Sequence, residues 1–144
     1  MNQTTVKTPV HLWIVGILSL LWNAFGAFDY VATQYRLDFY MSNFTPEQLD
    51  YFYSFPAWMK AAWAVGVWGS LLGSIFLLLR KSWAVWLFGA SILGLAVSTV
   101  YNFVLSNGIE MMGEEAVIMT AVIWVIALLL FFYASAMAKR GVLR

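Results

Sequence analysis

Four stretches without a single charged side chain dictate most of what this chain can fold into. They are residues 8–28, 61–79, 82–109 and 116–138. Each supplies the roughly 20 apolar residues that a helix needs to cross a ~30 Å hydrocarbon core. Inside lipid every backbone N–H and C=O must find its partner within the protein, so a span is either a helix or a strand of a closed barrel. The runs lack the apolar–polar alternation of a barrel strand. The expectation is an all-α polytopic membrane protein, one domain over residues 1–144. Its four transmembrane helices lie at about residues 10–34, 57–79, 83–105 and 115–138, in an antiparallel bundle. Composition agrees: only 10% of the residues are charged and 62% are hydrophobic, against about 25% charged in a water-facing globular domain. The first run is too long for the apolar core of a cleavable signal peptide and is expected to stay as a span.

Lysine and arginine give the orientation. If the chain crosses four times, Lys7, Arg80, Lys81, Lys139, Arg140 and Arg144 fall on one side. Arg36 and Lys60 share the other side with all seven acidic residues. The positive-inside rule then puts both termini and the turn at residues 80–82 in the cytoplasm of a bacterial inner membrane. Residues 37–55 form the long outer loop. Within it, Thr45-Pro46-Glu47-Gln48 reads as an N-cap, a proline at the first helical position and the Gln of a capping box. Leu49, Phe52 and Tyr53 follow on one face, which predicts a short amphipathic helix at the outer interface. Ser106-Asn107-Gly108 reads as a helix stop, and Glu114 and Glu115 suit the first turn of the fourth span.

The second span carries Gly66, Gly69, Ser70 and Gly73. Small residues at spacings of three and four let another backbone approach closely, which replaces the hydrophobic drive that lipid cannot supply. Packing within the chain is the first reading of that face and self-association the second. Gly89, Ser91 and Gly94 offer similar clearance on the third span.

The uncommon polar residues can be placed by depth. With a rise of about 1.5 Å per residue, Asp29 lies roughly 28 Å along the first span, near its outer boundary, and Asn23 about 9 Å deeper. Asn102 reaches a similar level on the third span, and Lys60 marks the outer start of the second. Asn23 shares a face with Tyr30, Asp29 with Thr33 and Arg36, and Ser98 with Tyr101 and Asn102. The candidate ligand-binding set is therefore Asn23, Asp29, Tyr30, Thr33, Lys60, Tyr101 and Asn102, a polar shelf built from three helices. An ionisable group at that depth calls for a partner, and Lys60 is the expected partner of Asp29, with Arg36 second. The shelf reads either as packing that fixes the helices or as an outward-facing pocket.

Other chemistry is scarce. There is no cysteine, which excludes thiol redox chemistry, iron–sulfur ligation and thiolate zinc sites. The single His11 has no second histidine to join it on a metal. Neither a Gly-rich phosphate loop, a serine elbow nor paired intramembrane carboxylates are present. No catalytic residue, cofactor or metal is expected. The basic residues are short flanks of spans and predict no nucleic-acid partner.

Several segments resemble a group of small four-span bacterial inner-membrane proteins labelled as sugar transporters. They are His11-Leu12-Trp13, the run from Trp22 to Tyr30 with Thr33-Gln34, Phe44-Thr45-Pro46-Glu47-Gln48, Phe55-Pro56-Ala57-Trp58 and Tyr101-Asn102-Phe103, with the basic end of the chain. The resemblance implies solute transport. Three functions follow in order of expectation: binding or transport of a small solute, such as a sugar, through an outward-facing pocket; a non-catalytic accessory or structural membrane subunit; and an enzyme acting on a lipid or quinone. The lipid bilayer is the expected surrounding, with a second copy or another membrane protein as partner.

Overall fold

The uncharged runs form helices that start without side-chain caps, and three of them end just before a left-handed residue, Arg36, Arg80 or Gly141. The structure is a computed structural model; it describes residues 7–144, and the leading flank at residues 1–6 lies outside them. Helix α1 runs Val10–Gln34. It closes through the Leu37 N–H on the Ala32 carbonyl (2.9 Å) and the Tyr35 N–H on the Val31 carbonyl (2.9 Å). Between them Arg36 adopts left-handed backbone at φ 54°, a conformation in which a side chain crowds its own carbonyl. Arg36 therefore does not continue the face of Asp29 and Thr33 as the helical spacing predicts; it lies beyond the last turn. Its guanidinium sits over the Tyr53 ring, 4.0 Å from the centroid.

The loop that follows contains α2 (Asp38–Met41) and α3 (Pro46–Tyr53). At α3 the Gln48 N–H donates to Thr45 Oγ1 (3.2 Å) and the Thr45 N–H to Gln48 Oε1 (3.1 Å), so both halves of the expected capping box are made. Helix α4 spans Ala57–Leu78 and α5 spans Trp83–Val100. The last turn after α5 widens into a π-helical segment, Tyr101–Leu105. Ser106 breaks the helix, as the sequence predicts, and a short α6 (Gly108–Met112) leads through Gly113 at φ 82° into α7 (Glu114–Lys139). No strand occurs among the described residues. Among the described residues four helices are long and apolar enough to cross a membrane: α1, α4, α5 with its π-helical extension, and α7.

Packing is centred on α4 and α5, with α1 laid on α4 and α7 on α5. The α4–α5 seam is tight because glycine leaves it room. A Cβ on Gly94 would lie 2.5 Å from the Ala62 carbonyl oxygen and 2.6 Å from the Gly66 nitrogen. On the facing helix, a Cβ on Gly73 would meet the Phe88 ring at 2.7 Å.

Two apolar clusters pin the ends. Near the α4–α5 turn, Leu12, Leu77, Phe88, Ala134 and Met137 pack with Val142 and Leu143 from the end of the chain. The Arg144 backbone closes this end by donating to the Arg80 carbonyl (3.0 Å) and accepting from the Ser82 N–H (3.1 Å). At the loop end Tyr51, Phe55 and Met59 pack with Trp63 and Tyr101. Helices α1 and α7 meet near the turn end, where His11 Nδ1 and the Tyr133 hydroxyl are hydrogen-bonded. Farther toward the loops a cavity separates them.

Candidate ligand cavity

The cavity has a volume of about 640 Å³ and is walled by α1, α4, α5 and α7, with the α2–α3 loop over one end. That is the size of a site for a small organic ligand. Its polar fittings lie at two levels.

The deeper level is set by Asn23, which is buried in α1. Its Nδ2 donates to the Ser70 carbonyl (3.1 Å) and to Ser74 Oγ (2.8 Å) on α4. A carbonyl accepts only from the amide nitrogen, so these bonds fix which way the side chain points. Oδ1 takes no donor from the described residues, and Asn23 lines the cavity. From Ser70 the network continues to α5. Ser91 Oγ donates to the Gly66 carbonyl (2.6 Å), so the Ser70 hydroxyl is the donor in its bond with Ser91. Three helices are thus tied together at mid-span by hydrogen bonds that lipid would otherwise leave unmade.

The upper level carries Asp29, Tyr40 and Asn102. Among the described residues Asp29 is the only charged one lining the cavity; no lysine or arginine of theirs lines it. Its Oδ1 accepts a hydrogen bond from the Tyr40 hydroxyl. Tyr40, in the loop, has its phenol pushed up by burial first and then by the hydrogen bond and charge of Asp29. Asn102 is held from both sides: Oδ1 accepts from the Tyr51 hydroxyl (2.6 Å) and Nδ2 donates to the Ser98 carbonyl (2.8 Å). The Tyr51 hydroxyl, whose proton goes to Asn102, in turn accepts from Ser106 Oγ (2.7 Å). The π-helical turn is therefore stitched to α3. Next to it, Ser98 Oγ is buried on the cavity wall with no hydrogen-bond partner among the described residues.

Of the residues singled out by depth, Asn23, Asp29, Thr33 and Asn102 line one cavity, joined by Gly66 and Ser70 from the small-residue face. Thr33 donates to the Asp29 carbonyl (2.8 Å). Tyr30 stands behind the wall, edge-on to Trp63 with centroids 5.0 Å apart. Tyr101 packs on Phe55 and Trp58 at 5.3 and 5.5 Å. Gly69 and Gly73 lie in the α4–α5 seam. The expected partnership of Asp29 with Lys60 is not made. Lys60 and Arg36 line an adjoining recess of about 30 Å³ with Gln34 and Tyr53, which shares Thr33 and Phe52 with the cavity, and Tyr40 takes the place at the carboxylate. Helix α7, which carries none of the residues singled out by depth, supplies the fourth wall through Met119, Thr120, Ile123 and Ala127.

Comparison with protein-family profiles, with curated proteins and with solved structures finds no match for the chain.

Proposed function

We propose that this chain is a multi-pass protein of the bacterial inner membrane, N-in/C-in, whose four long helices form an antiparallel bundle. Its cavity binds a small amphipathic solute on the periplasmic side, as a step in transport. The charge asymmetry supports the orientation: six lysines and arginines fall on one side and all seven acidic residues on the other. Under the positive-inside rule that bias selects one topology.

The observation that carries the binding reading is the cavity between α1 and α7. A well-packed bundle closes such a space with side chains, because lost dispersion contacts are destabilising. Here Gly26 stands on the wall with nothing within 4 Å of the position its Cβ would occupy. The lining also bears on the class of solute. A sugar needs many free donors and acceptors, whereas both amide groups of Asn102 and the Nδ2 of Asn23 are already engaged. An apolar molecule with one polar end fits better. The accessory-subunit reading loses its proposed contact face, since Gly66, Gly69 and Gly73 pack against α5.

The test fills the cavity. Gly26→Phe adds a ring where there is open space, so the folded protein should persist while saturable binding and uptake of amphipathic solutes into proteoliposomes disappear. Unchanged binding in a folded Gly26→Phe protein would place the solute elsewhere and overturn the reading.

A further inference from the structure

The class of solute can be narrowed by electrostatics, on the premise that the cavity is a binding site. Among the described residues Asp29 presents the one formal charge on its wall, and its side-chain partner is a neutral phenol. The two cations of the same region, Lys60 and Arg36, line an adjoining recess that shares Thr33 and Phe52 with the cavity without lining the cavity themselves, and Arg36 is stacked on Tyr53. An ionisable group in a low-dielectric site calls for a partner of opposite charge. The described residues bring none into the cavity with this one.

The surroundings suit a cation in a second, independent way. The rings of Phe44, Phe52, Phe55 and Trp63 line the same end of the cavity. Aromatic faces attract a cation within about 6 Å of the centroid. Away from Asp29 the wall turns apolar, through Ile123 and Ala127 down to Leu130. From Thr120 to Leu130 the helix covers about 15 Å, which accommodates a medium-length alkyl chain. Access follows from the same geometry: Phe25 and Met119, at 64% and 52% exposure, stand on the two helices that flank the gap. An amphiphile dissolved in the bilayer reaches the cavity sideways between α1 and α7.

We propose that the cavity takes an amphipathic organic cation, with its ammonium group beside the Asp29 carboxylate among the aromatic rings and its apolar tail laid between α1 and α7. Asn23 Oδ1, about 9 Å deeper, offers an acceptor to a ligand that carries a hydroxyl or amide partway along its tail.

Calorimetric titration of the protein in lipid nanodiscs, each probe measured against empty discs, separates the possibilities. The probes are decyltrimethylammonium, decyl maltoside and tetramethylammonium. Decyltrimethylammonium should bind saturably and at least about tenfold more tightly than decyl maltoside, through the attraction of its charge to the carboxylate and the aromatic rings. Tetramethylammonium, which lacks the tail, should bind weakly or not at all. Asp29→Asn should bring the two decyl probes to similar affinity, whereas Asp29→Glu and Tyr40→Phe, which keep the charge, should preserve the preference. Equal binding of both decyl probes by the unaltered protein overturns the cation assignment and leaves an amphiphile site standing. That comparison holds even if Asp29→Asn fails to fold. Absence of saturable binding for either decyl probe overturns the site itself.

Discussion

Asn23 and Tyr40 show how differently two polar side chains can announce themselves. Asn23 is legible because an amide within an apolar run is costly unless it is bonded, and helical rise alone gives its depth. Its bonds to Ser70 and Ser74 explain why the cost is acceptable. Asn23→Ala should lower stability by about 1 kcal/mol, within the range of interhelical hydrogen bonds in membranes, as read from unfolding titrations in mixed micelles. A neutral result would mean that Ser74 recovers a full partner elsewhere. Tyr40 was illegible: it lies 11 residues from Asp29 across the end of a helix, and neither a period nor a depth argument brings it back. Its contribution can be tested by pH. Burial, reinforced by Asp29, raises the Tyr40 phenol, and burial raises that of Tyr51 despite the opposing hydrogen bond with Ser106. A phenol that holds its proton more tightly when folded stabilises the protein below the unfolded value of about 10 and loses that contribution as pH rises through its folded value. Stability should therefore decline above about pH 10. The double variant Tyr40→Phe, Tyr51→Phe should flatten that decline in denaturation curves; an equally steep alkaline limb would assign the effect to other groups.

At the scale of elements, glycine divides by where it sits rather than by how often it recurs. Spacing alone marks Gly66, Gly69, Gly73 and Gly94 as small-residue positions, but it does not say which surface they meet. Packing distances do. Gly94→Ala drives a methyl into two backbone atoms of α4, neither of which can rotate away. It should cost about 1–3 kcal/mol, as overpacking does. Gly26→Ala, in open space on α1, should stabilise by about 0.4–1 kcal/mol through lost freedom of the unfolded chain. Thermal unfolding of the two variants in one detergent checks the opposite signs. If both destabilise equally, the space beside Gly26 is not open. The π-helical turn at Tyr101–Leu105 was beyond the sequence pattern. Its hydrogen bonds come from Tyr51, some fifty residues earlier, and local propensity is blind to such a partner. Helix α7 was missed as a cavity wall for a related reason. Its surface is apolar almost all round, so no stripe distinguishes the side that meets α5 from the side that meets lipid.

For the molecule as a whole, the spans were legible because lipid enforces length and apolarity on each of them. The arrangement that creates the cavity was not. It depends on α1 and α7 being joined at one end by His11 and Tyr133 and held apart toward the other, and this is a property of three-dimensional packing. Orientation links that arrangement to function, since it decides which compartment the Asp29 end of the cavity serves. The chain has no cysteine, so single introduced thiols report their side without background. Asp50 on α3 and Lys81 in the α4–α5 turn are both exposed, and neither lines the cavity. In the proposed topology, Asp50→Cys should react with a membrane-impermeant maleimide in cells whose outer membrane alone is permeabilised. Lys81→Cys should react only after the inner membrane is opened. The reverse pattern would turn the protein over and make the solute's polar end cytoplasmic. The cavity would then accept its ligand from inside the cell, and a positive-inside bias of six lysines and arginines against two would have been overridden by packing.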